Sequence, residues 1–178
     1  MPILDASCSH LLLIDFQARL MPAIHDGDTV TTQAAKLLSA ARLLDLPRSY
    51  TEQNAGKLGG TVTNLAPEKG ETVLSKMSFD ACRNSAVTDD LSSNATLIVA
   101  GCEAHVCVLQ TVLGLLDRGK RVAVAADATG SRAPANRDAA LARMAVHGAE
   151  IVTTEMVLFE WLGSAEHAQF RAIMQLIK

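Results

Sequence analysis

The chain has 178 residues, 49% apolar and 20% charged, with formal net charge −3, a pI near 5.9 and mean hydropathy +0.19. That length predicts one domain, 1–178, with a core large enough to need no staples, and the composition excludes a disordered chain. Apolar runs of about six to eight residues are too short to span a bilayer, and the lack of a Lys/Arg block together with 3% aromatic residues excludes a basic groove or stacking platform for nucleic acid.

The N-terminal MPILDASCSH has neither a basic nor an apolar leader segment, so no signal peptide is expected. Residues 10–15 (HLLLID) read as a buried strand. Residues 28–46 read as a helix with Val30, Ala34, Leu37, Ala41 and Leu44 on one face and Pro47 as its stop. Strands follow at 48–53 (RSYTEQ) and 71–76 (ETVLSK), then a short helix at 84–91. Residues 95–101 (ATLIVAG) form a strongly apolar strand, and 104–118 a helix closed by Gly119. A strand at 121–127 (RVAVAAD), a helix at 136–147, a last strand at 150–154 and a helical tail at 167–178 complete the chain. Stretches 54–70 and 128–135 read as loops able to cover a site.

Such alternation predicts an α/β fold: a three-layer α/β/α domain with a mainly parallel six-stranded sheet. Ligands of such sheets bind at the carboxyl ends of the strands. Those ends are polar here: Asp15, then Glu52 and Gln53, Lys76, the Gly101-Cys102-Glu103 run, and Asp127. The four cysteines, Cys8, Cys82, Cys102 and Cys107, form no CxxC pair, which predicts reduced thiols and a cytoplasmic setting.

Cys107 falls in the first turn of the helix that follows the strongest strand, where backbone N–H groups lower a thiol's pKa and can hold an oxyanion. The alternative is a buried cysteine serving as a small hydrophobe, the reading preferred for Cys8 and Cys82. A nucleophile needs a base. His105, two residues away on the same helix, does not face Cys107, and His10 lies at the wrong end of its strand. Asp15 and Lys76 remain at the correct edge. Two decoys fail. Residues 114–120 (GLLDRGK) mimic a phosphate loop but run from helix to strand with Arg121 in the hydroxyl position. Cys102, His105 and Cys107 lack the fourth ligand and the spacing of a structural zinc site.

The motifs LLLIDFQARLMPAI, TEQ followed by LGGTV, SKMSF, GCEAHVCVLQT, DATGSR and the closing LIK, in that order, resemble the isochorismatase-like cysteine hydrolases, closest to the YcaC-like and isochorismatase-domain-containing branch. The resemblance implies Cys107 as nucleophile, Asp15 as general base and later acid, and Lys76 as third member of a catalytic triad. It implies a cis peptide between Cys102 and Glu103, and an oxyanion hole from the backbone N–H groups of Glu103 and Cys107. Phe16, Gln17, Glu52, Gln53 and Phe79 are the expected substrate-lining residues. The implied activity is hydrolysis of a small amide-like C–N substrate through a thioester, with no cofactor, no nucleic-acid or membrane partner, and assembly as a homo-oligomer. The TEQNAGKLGG stretch holds none of the histidines that bind metal in nicotinamidases, which speaks against a metal and against that activity. A cysteine is not used by true isochorismatases, so its presence favours amide chemistry. Residues 54–60 also lack the Pro often found after TEQ in the YcaC-like branch. The rivals are a non-catalytic binding or scaffold protein on the same fold, and a thiol redox sensor with Cys102 as resolving partner of Cys107.

Overall fold

A computed structural model describes residues 3–91 and 94–178. Strand β1 is Ser9–Ile14 and helix α1 is Gly27–Leu43; β2 is Arg48–Gln53, α2 the single turn Ala55–Leu58, and β3 Thr72–Lys76. Then come α3 (Ser85–Asp90), β4 (Thr96–Cys102), a π-helical turn at Ala104–Val108 running directly into α4 (Leu109–Asp117), and β5 (Val122–Gly130). The chain closes with α5 (Pro134–Val146), β6 (Glu150–Val152), α6 (Thr154–Leu162) and α7 (Phe170–Ile177).

All six strands are parallel, in the order β3-β2-β1-β4-β5-β6. Side chains alternate across a pleated strand. Leu11 and Leu13 of β1 therefore join one core with Ile98, Ala100, Ala123 and Ala125, under α1, α6 and α7. Leu12 and Ile14 join the other with Leu97, Val99, Val122 and Val124, under α3, α4 and α5. Both faces of β1 and β4 are buried, which explains why their sequences are continuous apolar runs.

The strand order reverses between β1 and β4, and a doubly wound sheet opens its binding crevice at that point. β1 and β4 pair as far as Ile14 and Gly101. A Cβ at Gly101 would stand 2.4 Å from the Ile14 carbonyl oxygen, so only glycine lets the two strand ends approach this closely. The crevice is thus bounded by the residues just beyond: Asp15 on one side and Cys102-Glu103 on the other.

Three elements depart from the sequence reading. β5 runs on to Gly130, past Asp127, through a register shift against β4 between Val99 and Gly101. Residues 128–130 are therefore strand, and Asp127 faces away from the crevice, accepting from Thr154 N–H (2.8 Å) and Oγ1 (3.0 Å). Helix α6 lies where no helix is expected. It is capped by Thr153 Oγ1, ended by Gly163 at φ +63°, and buries Val157, Leu158, Trp161 and Leu162. The 54–70 stretch is not an open loop: it folds back on β1 and β2 through α2, the Thr63–Leu65 turn and a bridge between Gln17 and Thr61. Its far end is anchored by Glu71, whose carboxylate takes bonds from Arg42, Arg48 and Tyr50. Arg42, helped by Arg48, holds that carboxyl well below the usual range. No helix among the described residues is long and apolar enough to cross a membrane.

Candidate active site

β1 ends in a left-handed residue: Asp15 has φ +53°, a conformation Asp tolerates better than most side chains. Its backbone N–H donates to the Thr51 carbonyl (3.1 Å), and its carbonyl accepts from Gln17 N–H (2.8 Å). The carboxylate is held on both oxygens. Lys76 Nζ donates to Oδ2 at 2.6 Å, and Thr51 Oγ1 donates to Oδ1 at 2.7 Å. The Asp15 and Lys76 side chains are both fully inaccessible to solvent. A buried ion pair in good geometry attracts strongly but is costly to desolvate, so it is weak evidence of stability and stronger evidence of a site.

Cys107 sits in the π-helical turn at the opposite side of the crevice. Its thiol donates to Gln53 Oε1 at 3.2 Å. Burial pushes the thiol up to about 12; the Asp15 charge and hydrogen bond push the same way, and Lys76 pulls against them. Desolvation overrides the lowering expected from a helix N-terminus, because the thiol is only 4% exposed and a carboxylate faces it. The resting cysteine is therefore a protonated thiol, with the Asp15–Lys76 pair acting on it in opposite directions. Cys102 is likewise pushed up to about 12 by burial, and all four cysteines are free thiols.

The thiol forms the floor of a cleft of about 420 Å³ walled by Leu20, Gln53, Lys57, Phe79, Glu103 and Arg132. Of the five residues expected to line it, Gln53 and Phe79 do so. Phe16 is a core side chain, 1% exposed. Gln17 is fully buried and its amide clamps backbone: Oε1 accepts from Gln53 N–H (2.9 Å), while Nε2 donates to Gln53 O (3.1 Å) and Gly59 O (2.6 Å). Glu52 accepts from Thr61 N–H and Oγ1, at 2.7 and 2.8 Å. These three build the wall's support rather than its surface, because the 54–70 stretch packs back over them: Gln17 holds Gly59 and Glu52 holds Thr61.

At the end of β4 the Cys102–Glu103 peptide bond is cis. The Glu103 carboxylate accepts from Arg132 N–H and Nε, each at 3.0 Å. Thr51 and Arg132 were not singled out by the sequence pattern. Thr51 had a readable signal, because in a parallel pair it lies in register with Ile14, next to Asp15. Arg132 closes the DATGSR motif, but nothing in the motif says that its partner is Glu103. Among the described residues no three His, Cys, Asp or Glu side chains are grouped to hold a metal ion.

Residues 9–156 match the isochorismatase domain. The chain belongs to the isochorismatase-domain family. Isochorismatase domain-containing protein 2 of Homo sapiens is 39% identical over 173 residues, covering 96% of this chain and 83% of that protein. The Danio rerio protein of the same name is 36% identical over 176 residues, covering 98% and 89%. Among solved structures, the MAR1 ribonuclease from Caenorhabditis elegans superposes with a TM-score of 0.94 at 33% identity, covering 98% of this chain and 92% of its own. YcaC from Pseudomonas aeruginosa, solved with hexane-2,5-diol and covalent acrylamide, gives 0.84 at 27% identity, covering 99% and 96%. The isochorismatase-family fold supports a hydrolase of this superfamily.

Proposed function

We propose that the protein is a cysteine hydrolase of small amide-like substrates, with Cys107 as nucleophile, Asp15 as proton carrier and Lys76 as fixed cation. The observation that carries this reading is the solvent-free Asp15–Lys76 pair acting electrostatically on a thiol that lines a cleft at the switch point. With substrate bound, the Asp15 carboxylate takes the Cys107 proton, and Lys76 stays protonated beside the new thiolate. The thiolate attacks the carbonyl carbon. The backbone N–H groups of Glu103 and Cys107 receive the oxyanion; a donor of this kind contributes about 3–4 kcal/mol. Collapse breaks the C–N bond as Asp15 returns its proton to the nitrogen, and ammonia or an amine leaves. Water then attacks the thioester, its proton passing through Asp15 back to the sulfur as the acid is released. General acid–base work of this kind contributes roughly 10²–10⁴ in rate.

Support also comes from the covalent acrylamide in the P. aeruginosa relative, since acrylamide is an electrophile that thiols attack. The worm relative is named a ribonuclease. Against RNA as the substrate of this chain stand its net charge of −3, its 3% aromatic content and the small volume of its cleft. Self-association belongs to the same reading: Met77 and Phe79, just past the edge strand β3, are 72% and 50% exposed. A cytoplasmic setting, with reduced thiols, is part of it too.

The test is ammonia release from a panel of small primary amides, alongside cleavage of a single-stranded RNA oligonucleotide, by wild type and Cys107→Ser. Turnover of at least one amide that is lost in Cys107→Ser, with RNA intact, is the expected result. RNA cleavage lost in the same variant, without amide turnover, would replace the reading.

A further inference from the structure

The helix behind the nucleophile carries a buried hydroxyl that no hydrolytic step uses. Thr111 of α4 is wholly inaccessible to solvent, among Leu109, Val112 and Leu115. Thr is a weak helix former, and Val would fill the same volume with no polar group to satisfy. A Thr hydroxyl within a helix often bonds a carbonyl one turn back; here it reaches a different segment. Oγ1 accepts from Ala81 N–H at 3.0 Å, and its own hydrogen is directed to the Phe79 carbonyl at 3.5 Å.

One side chain thus holds both ends of the turn over residues 79–81. Further bonds dock the turn on α4. Cys82 Sγ donates to the Thr111 carbonyl at 3.9 Å, and Arg118 Nη2 donates to the Cys82 carbonyl at 3.2 Å. Farther along α4, a Cβ at Gly114 would stand 2.9 Å from Asp80 Oδ1, so the turn lies directly on the helix backbone.

The same turn reaches Lys76. Lys76 Nζ donates to Asp15 Oδ2 at 2.6 Å and to the Ser78 carbonyl at 3.4 Å, and Ser78 Oγ donates to the Asp80 carbonyl at 2.7 Å. Lys76 ends β3, an edge strand that the sheet supports from one side only, through β2. Its ammonium therefore takes its second anchor from a turn bolted to α4. Cys107 lies in the π-helical turn that runs into that helix, four residues before Thr111. Nucleophile and cation are fastened to one rigid element.

We propose that Thr111 is a positioning residue of the site: its hydroxyl ties the 78–82 turn to α4 and so holds the Lys76 ammonium in place for the Cys107 thiolate. The inference rests on the cysteine-hydrolase reading and adds to it a residue that touches neither substrate nor the reacting atoms.

The probe is p-nitrophenyl acetate. Acylation of Cys107 is divided by that of exposed Cys8 in the same molecules, read by peptide mass spectrometry on protein shown to be folded by circular dichroism. Thr111→Val should lower this ratio by roughly ten- to a hundredfold, the range expected when a catalytic group shifts by about 1 Å. Thr111→Ser keeps the hydroxyl and should stay within about threefold of wild type. The pH at which Cys107 labels with iodoacetamide should rise in Thr111→Val, because Lys76 pulls that thiol down; a packing defect alone would not move it. Phe79 is the other group that the turn carries to the cleft, and Phe79→Ala should not raise the labelling pH. The proposal is overturned, with the nucleophile left standing, by a Thr111→Val ratio or labelling pH equal to wild type, by Thr111→Ser as impaired as Thr111→Val, or by Phe79→Ala raising the labelling pH as far. Should Thr111→Val not fold, Gly114→Ala decides, since Ala favours the helix while pressing on Asp80: a lowered ratio supports the proposal and an unchanged one overturns it. If wild-type Cys107 acylates no faster than Cys8, the hydrolase reading itself fails and the positioning claim falls with it.

Discussion

Replacing Lys76 by Met removes one half of an ion pair in which neither side chain meets solvent. The Asp15 carboxylate would keep a single neutral side-chain donor, Thr51 Oγ1. Breaking a buried pair from one side costs about 3–5 kcal/mol, because a charge is left buried without its partner, against about 0.2–1 kcal/mol for an exposed pair. For a chain of this size that corresponds to a fall in Tm of roughly 6–20 °C. The double variant Asp15→Asn/Lys76→Met removes both charges, and Asn accepts the left-handed conformation of position 15. Its stability should therefore exceed that of Lys76→Met alone. Urea unfolding of wild type, both single variants and the double closes the cycle at neutral pH. A single-variant cost under about 1 kcal/mol, or a double-variant cost equal to the sum of the singles, would show that the pair is not electrostatically isolated and would refute the reasoning.

Asp15→Asn separates the two effects of that carboxylate on Cys107. Its charge adds to burial in pushing the thiol up to about 12, so the thiol pKa, read from the pH at which iodoacetamide labelling rises, should move down in the variant. Amide hydrolysis should still fall by roughly 10²-fold or more, since the thiol loses its base and the leaving amine its proton donor; a labelling pKa that does not move down, or hydrolysis that does not fall, would contradict this. Burial also raises Cys82, from an ordinary value near 9 to about 12. Between those pH values the unfolded chain has released a proton that the native chain keeps, so stability falls as pH rises. Cys82→Ala should reduce that slope by about 1.4 kcal/mol per pH unit in urea unfolding under reducing conditions; an unchanged slope would count against it. Gln17→Ala deletes three bonds that hold Gln53 and Gly59. It should cost about 2–4 kcal/mol, and trypsin should cut faster after Lys57; equal cutting rates would show that the clamp does not hold α2.

The sheet was legible because β1 and β4, buried on both faces, cannot be anything but continuous apolar strands. Their polar ends then placed Asp15 and Cys102-Glu103 at one edge. Lys76 came from the same edge logic, and the structure joins it to Asp15. Helix α6 was readable in retrospect from Thr153, the apolar spacing of 157–162 and Gly163, but it lies against a three-residue strand whose own signal masked its start. The inward turn of Phe16, Gln17 and Glu52 was not legible. It depends on how 54–70 packs back over β1 and β2, a tertiary contact with no local period. The thiol's state was misjudged for a similar reason: helix position is visible in a sequence, and the depth at which desolvation outweighs it is not.

The central claim is that Cys107 becomes a nucleophile despite being a protonated, buried thiol, because Asp15 and Lys76 lie beside it. Acylation by p-nitrophenyl acetate, quenched in acid and read by peptide mass spectrometry, measures this directly at Cys107 and at exposed Cys8 in one reaction. The account predicts that Cys107 acylates faster than Cys8 and that its acyl group is then lost to water, sustaining p-nitrophenol release that Cys107→Ser abolishes. Acylation of Cys107 no faster than that of Cys8 would contradict it, and the cleft would then be a binding site on a hydrolase fold.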